Sequence, residues 1–193
     1  LQFYAEARGG FSFMSDQTFR FARAGLSDAT TKAKVGSSWM AGAALGVNLN
    51  NAFRVEAEYL YRRNTLKNVS TPALSAPGSG DFNSVFIMGN AYYDFEGWKF
   101  SSVPVRPVIG LGLGVAQEID VDLTGGGRSV NYSGSDFAYQ ALAGVRLEYD
   151  SGWYSSVGLR YANASKARLK GPAGTLRANY APISTVISIG YRF

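Results

Sequence analysis

The sequence contains neither cysteine nor histidine. The first absence removes disulfide frameworks, thiolate nucleophiles and cysteine-bound zinc. The second removes the commonest general base and the commonest metal-ligating side chain. A Ser–His hydrolase is therefore excluded, and an enzyme would have only carboxylate chemistry left. Charged residues make up 17% of the 193 positions, below the roughly 25% of ordinary soluble domains. A long hydrophobic run is missing as well. The longest apolar stretch, Val108 to Ala116, carries Gly110, Gly112 and Gly114 and falls well short of the ~20 residues of a spanning helix.

Glycine, with 23 copies, and aromatics, at 14%, are abundant, yet mean hydropathy is only −0.07. That combination fits many strands with one apolar face each. The length suits one domain over residues 1–193. The chain opens at Leu1 in what reads as a strand, so an export signal is expected to have been removed. A net charge of +5 permits a nucleic-acid, membrane-surface or acidic-glycan partner. All six lysines (Lys32, Lys34, Lys67, Lys99, Lys166 and Lys170) fall in connections or at a strand tip. That placement points to an envelope surface and not to nucleic acid.

Period-two alternation runs through the chain in eight segments. In the first, Phe3, Ala5, Ala7, Phe11 and Phe13 alternate with Tyr4, Glu6, Arg8 and Ser12. In the second, Val35, Trp39, Ala41, Ala43, Leu45 and Val47 oppose Ser38, Gly42, Gly46 and Asn48. In the third, Phe53, Val55, Ala57, Tyr59 and Tyr61 oppose Arg54, Glu56, Glu58 and Arg62. Five more follow around residues 84–95, 109–118, 137–149, 153–161 and 183–193, with Phe86, Met88 and Val186 as apolar exceptions on the polar face. Connections alternate in length. Short turns near Asn50-Asn51, Glu96 to Ser101 and Asp150 to Gly152 separate long polar segments at Ser15 to Ala33, Asn64 to Gly80, Asp120 to Ser135 and Asn163 to Pro182. Short periplasmic turns with long outer loops, and an even strand count, predict an all-β, eight-stranded, antiparallel up-and-down transmembrane barrel.

Alternation alone does not say which face looks outward, since a soluble lipocalin-like barrel lines its cavity with the apolar face. Aromatics on the apolar face gather in two belts. Phe3, Phe53, Phe95, Tyr149, Trp153, Tyr191 and Phe193 form one; Phe11, Phe13, Trp39, Tyr59, Tyr61, Phe137, Tyr139 and Tyr161 form the other. Such girdles belong at the two water–lipid interfaces. The strand-body cations are arginines interleaved with acids, which suits a confined and paired interior. The expected lumen network is Glu6, Arg8, Arg54, Glu56, Glu58, Arg146, Glu148 and Arg160.

Four stretches, Val55 to Arg63, Val105 to Val115, Ala143 to Tyr149 and Ile189 to Phe193, give the chain a likeness to a known group. It resembles the small outer-membrane barrels grouped with opacity proteins and the OmpA-type and OmpX-type transmembrane domains. Arg106-Pro107 followed by alternating glycine, and the closing Tyr191-Arg192-Phe193, are its most specific pieces. The resemblance implies an integral protein of the bacterial outer membrane, surrounded by lipid and lipopolysaccharide. It also implies that Ile187, Ile189, Tyr191 and Phe193 form the signal read by the barrel-assembly machinery.

Other motifs carry less. Gly110-x-Gly-x-Gly114 lacks the strand-then-helix setting of a nucleotide loop, and no cofactor or metal is expected. Asp120, Asp122 and Asp136 lie near one outer loop and could act as paired acids. Two basic loops, with Arg20, Arg23 and Lys32 against Asp16 and Asp28 in the first and Lys166, Arg168, Lys170 and Arg177 with no acid in the fourth, become neighbours when the barrel closes. They are candidates for binding lipopolysaccharide phosphates, a surface glycan or a protein. The expected role is structural or surface-interacting: envelope integrity, adhesion or loop-mediated binding, with the lumen filled. A small diffusion pore is the alternative, and an envelope-modifying enzyme a more distant one.

Overall fold

A computed structural model describes residues 1–13, 17–22, 29–69, 78–125, 128–149, 151–171 and 174–193. The strands are β1 (Gln2–Phe13), β2 (Gln17–Ala22), β3 (Ala29–Asn48), β4 (Phe53–Val69), β5 (Gly78–Asp94), β6 (Trp98–Phe100), β7 (Val103–Gly125), β8 (Arg128–Glu148), β9 (Trp153–Gly171), β10 (Gly174–Tyr180) and β11 (Ile183–Arg192). Every pairing is antiparallel. β1 pairs with both β3 and β11, which closes the sheet on itself. β2 prolongs the β1 stave and β10 prolongs the β11 stave, since β10 lies between β9 and β2. The wall is thus eight staves around, and β6 is a short hairpin arm folded onto the start of β7.

Alternating residues make this closure possible, because each strand presents one face to the bore and one outward. The assignment of the faces is the reverse of a water-soluble protein. Leu111 is 71% exposed and Phe11 68%, whereas Glu58 on the inner face is 2% exposed. Backbone polar groups are paired around the closed wall, as lipid demands. Along β1 the two aromatic belts are set by Phe3 and Phe13. At ~3.3 Å per residue and a tilt of ~40° they lie about 25 Å apart, the height of an outer-membrane apolar band. The belt residues of both girdles, Trp39, Tyr59, Phe137, Tyr139 and Tyr161 above and Phe53, Phe95, Tyr149, Trp153 and Tyr191 below, are exposed on the outer surface.

The turns at the lower end are tight. Asn50 accepts the backbone N–H groups of Ala52 and Phe53 on its Oδ1 at 2.8 and 2.7 Å, an Asx turn. The β6–β7 reversal uses Ser101 and Ser102 with φ of 48° and 74°, the two left-handed positions of a type I′ hairpin. The sequence placed that turn a few residues earlier, because Trp98–Phe100 reads as a connection and pairs only after the chain has bent back. At the upper end the long polar segments continue the ladders. β7 pairs with β8 as far as Gly125↔Arg128, and β7 alone has 23 residues. It reaches roughly 58 Å along the axis at the same rise and tilt, about twice the apolar band. Beyond the membrane both faces of a strand meet water, so the hydrophobic alternation that marks a strand in the sequence fades there. Register shifts cluster at this transition, at Val35/Ser38, Asn83/Val85 and Ala116/Ile119 among others.

Candidate functional site

The inner face divides into two storeys. The lower one, toward the short turns, is built from β1, β4, β5, β8 and β9. Arg8 is its hub: it lies 2.6 Å from Glu6 and 2.6 Å from Glu56, and pairs also with Glu58. Glu58 receives a two-pronged bond from Arg160, Nη1 and Nη2 each at 2.7 Å. Arg54 contacts Asp94 at 3.2 Å and stacks 3.8 Å above the Tyr92 ring. Arg146 reaches Asp94 at 2.8 Å and Glu148 at 3.0 Å. Planar guanidinium forks suit this chain of shared carboxylates better than ammonium groups would. The contacts cross the bore, because Arg8, Glu58 and Arg160 belong to three non-adjacent staves.

Tyrosines and amides complete the layer. Tyr4 donates to Glu56 at 2.8 Å, Tyr92 to Glu56 at 3.0 Å and Tyr154 to Glu6 at 2.9 Å. Asn90 donates to Glu56 at 2.9 Å, and Gln140 to Asn90 at 2.6 Å. Each tyrosine lies across a glycine on the next strand: Tyr4 opposite Gly46, Tyr92 opposite Gly110 and Tyr154 opposite Gly190. A Cβ at any of the three glycines would stand 2.3–2.4 Å from the ring, so only glycine admits the close approach. The alternating glycines of β7 are therefore the floor under Tyr92 and Asn90.

All eight residues expected to form a lumen network are in this lower storey, but Glu148 is at its mouth. It lies 3.1 Å from Arg192 and 3.8 Å from Arg106, partly open to solvent. Arg106 donates to the carbonyls of Phe95, Asp94 and Asn51, which ties two of the short turns together. Sequence reasoning missed Tyr4, Tyr92, Tyr154, Asn90 and Gln140 as members. Their signal was a polar-phase aromatic or amide facing a polar-phase glycine, visible only once strands are paired.

The upper storey is apolar. Met40, Leu60, Phe86 and Met88, with Ala116, Ala138, Ala162 and Ala164, are almost fully buried there. Arg62 is embedded among them, its Nη2 3.5 Å from Met40 Sδ and its guanidinium 5.5 Å from the Phe86 ring. Above lie the Ser12–Ser184 and Ser38–Asn64 hydrogen bonds, at 2.8 and 2.5 Å. Phe86 and Met88, exceptions to a polar inner face, are thus the material of this layer. A cavity of about 50 Å³ remains in the lower storey beside Arg8, Arg54 and Arg160, where Gly144 and Gly158 face each other.

The closing strand runs between β1 and β9. Ile187, Ile189 and Tyr191 point outward, Tyr191 packs 5.2 Å from Trp153, and Phe193 stacks 6.5 Å from Phe3. The Phe193 N–H donates to the Phe3 carbonyl at 3.0 Å. Of the basic outer positions, Arg23 lies outside the described residues. Arg177 is directly opposite both Arg168 and Arg20, Thr175 opposite Lys170, and Lys32 opposite Thr18; Lys166 follows on β9. Across the rim Asp122 is opposite Asp81, and Asp120 opposite Asn83. Asp136 is opposite Ala116 in the β7–β8 ladder. Among the described residues no group of three potential metal ligands converges.

A family model described as an outer membrane protein beta-barrel domain matches residues 2–193. A curated outer membrane protein of Gluconacetobacter diazotrophicus is 25% identical over 156 residues, covering 75% of this chain and 41% of that relative. The chain thus spans about two fifths of the relative's length. Among solved structures, the outer membrane protein OprG of Pseudomonas aeruginosa superposes with a TM-score of 0.74 at 16% identity, over 100% of this chain and 95% of that one. Neisserial surface protein A gives 0.51 at 19% identity, over 99% and 97%. At these identities the likeness is one of fold. Matched over nearly its whole length, with an apolar outer wall between two aromatic belts, the chain belongs to the outer membrane protein beta-barrel family and is a closed eight-stranded barrel of the bacterial outer membrane.

Proposed function

We propose that the barrel is a filled, non-conducting scaffold whose lumen network acts as a plug and holds the long outer strand extensions rigidly for contact with the cell surface or a partner. The observation that carries this reading is the wall-to-wall chain Arg8–Glu58–Arg160, with Glu6 and Glu56 on the Arg8 guanidinium beside it. An eight-stranded bore is only wide enough for its own side chains. Roles in envelope integrity, adhesion or loop-mediated binding all use such a scaffold, and the basic outer positions are its candidate contact for lipopolysaccharide or an acidic glycan. The test is single-channel recording in planar bilayers on refolded protein. Very low conductance is expected, rising in an Arg54→Ser, Glu56→Ser, Arg146→Ser variant. A large, steady channel in the parent overturns the plug and makes the protein a diffusion pore.

The terminal strand has a proposed role of its own, as the segment recognised by the barrel-assembly machinery through Ile187, Ile189, Tyr191 and Phe193. Deleting Phe193 together with Tyr191→Ala should lower the amount of protein in the outer membrane without changing synthesis. Normal amounts and normal resistance to external protease would overturn it.

A further inference from the structure

Below the lower aromatic belt the β6–β7 hairpin goes on after the wall has ended beside it. β6 pairs with the start of β7, Trp98 opposite Val105 and Phe100 opposite Val103, whereas β8 accompanies β7 only down to Val105. Directly opposed residues share a face of a sheet. Val103 and Val105 have the parity of Ile109 and Leu111, which are exposed on the outer wall. Trp98 and Phe100 therefore continue the outward face, 56% and 72% exposed, while Lys99, opposite Pro104, takes the other one. The belt ends just above them, where Phe53 meets Tyr93 at 5.0 Å and Tyr93 meets Phe95 at 4.7 Å.

This arm is held in place. Gly97 passes β7 so closely that a Cβ on it would collide with the Val105 carbonyl, an approach open only to glycine. Arg106 donates to the carbonyls of Phe95 and Asp94, at 3.2 and 3.3 Å, and to that of Asn51 in the neighbouring turn. The Phe95 N–H donates to the Pro107 carbonyl at 2.9 Å, which marks the belt level on β7. Trp98 and Phe100 pair two and four residues below that level. At ~3.3 Å per residue and ~40° tilt they stand about 5 and 10 Å beneath the belt. The headgroup layer under a hydrocarbon core is roughly 5–7 Å deep, so Trp98 falls within it and Phe100 at its lower edge. Indole favours that layer, with an apolar body and a polar N–H.

We propose that the β6–β7 arm is an anchor on the inner leaflet, with Trp98 and Phe100 docked among phospholipid headgroups at a depth set by the Gly97 crossing and the Arg106 clamp. Outward parity, continuity with the belt and the uncharged face of Trp98, Phe100, Val103 and Val105 favour lipid over a periplasmic polypeptide or a second copy of the chain. The anchor does not depend on whether the lumen conducts.

The chain has three tryptophans, so Trp39→Phe with Trp153→Phe leaves Trp98 as the sole indole. The full chain, shown to be folded by heat-modifiable migration, is refolded into phosphatidylcholine vesicles bearing a nitroxide either on the headgroup or near the acyl-chain end. Trp98 emission is expected to fall about twofold with the headgroup label and little with the chain-end label. It should also be less open to aqueous iodide than in the urea-unfolded chain. Free quenching by iodide, with no response to either nitroxide, puts the arm in water and overturns the inference. Protection from iodide without a nitroxide response means that protein covers the arm, which overturns it too. Stronger quenching by the chain-end label overturns the assigned depth. Gly97→Val in the same chain should cut the headgroup quenching by about half, because the arm must move off β7; unchanged quenching overturns the crossing as what sets the depth. If the two tryptophan replacements prevent folding, Phe100→Cys in the otherwise cysteine-free parent takes a spin label. Its relaxation by membrane-dissolved oxygen, more than by a water-soluble nickel chelate, is then expected, and the reverse overturns the anchor.

Discussion

The two storeys of the lumen close the same bore by opposite means. The lower one buries charge and pairs it: Glu58 alone is held by Arg8, Arg160 and the Gln140 amide. The upper one buries Leu60, Phe86, Met40 and Met88 and excludes water by volume. The contrast teaches that an interior sealed from lipid by its own wall can be filled either way, but the two fillings fail differently. Removing one member of an ion-paired layer leaves its partners buried and uncompensated. Removing one apolar side chain leaves only a cavity.

The largest effect should therefore follow Glu58→Ala, which strands Arg160 and takes from Arg8 one of its three carboxylates. A loss of about 3–5 kcal/mol is expected in reversible urea unfolding from lipid vesicles. Adding Arg160→Met to the same chain should recover part of that loss, because one orphaned charge disappears with it. A double variant no more stable than the single one would break the distinction between the storeys.

In the upper storey, Leu60→Ala should cost about 3 kcal/mol by loss of transfer energy and a residual cavity. Its conductance should stay at the parent level, since the ion-paired layer below remains shut. A channel opened by Leu60→Ala alone would show that the apolar layer is the real seal.

A smaller loss is expected for Tyr154→Phe, which removes only the hydroxyl donated to Glu6 at 2.9 Å. A hydrogen bond to a buried charge contributes about 1.5–3 kcal/mol, and the ring still covers Gly190. By contrast Gly190→Val, which the ring cannot accommodate, should abolish or shift that packing and be read as loss of the near-ultraviolet tyrosine signal.

The smallest effect belongs to the exposed Arg63–Asp81 pair on the outer surface, whose side chains are 47% and 32% exposed. Arg63→Gln should leave the unfolding midpoint unchanged at ordinary salt, because solvent screens such pairs. A shift as large as that of Tyr154→Phe would mean that solvent does not screen this exposed pair.

Much of this protein was legible in its sequence because a strand has period two. The alternation of Phe3, Ala5, Ala7 with Tyr4, Glu6, Arg8 determined which residues face lipid and which face the bore. The belts and the even strand count then determined a closed barrel. What fades in the sequence is what alternation does not encode. β2, β10 and the outer parts of β3, β7 and β9 read as polar loops, since both faces of a strand above the membrane meet water. The hairpin arm at Trp98–Phe100 was invisible for the same reason that short edge pieces are: its pairing depends on the turn at Ser101-Ser102.

Register is the other thing that only tertiary structure decided. The sequence supplied Arg8, Glu56, Glu58 and Arg160, but pairing of β1 with β3 and β11, and of β9 with β8 and β11, brought side chains 50 and 102 positions apart into one network. Register also laid Tyr4, Tyr92 and Tyr154 over Gly46, Gly110 and Gly190, and stacked Phe86 and Leu60 into a separate apolar layer. In the same way it turned scattered outer cations into the row Arg20–Arg177–Arg168. The physical reason is that facing is a local property, fixed by parity along one strand, whereas partnership requires the stagger between strands. That stagger is set collectively, by closure of the whole wall.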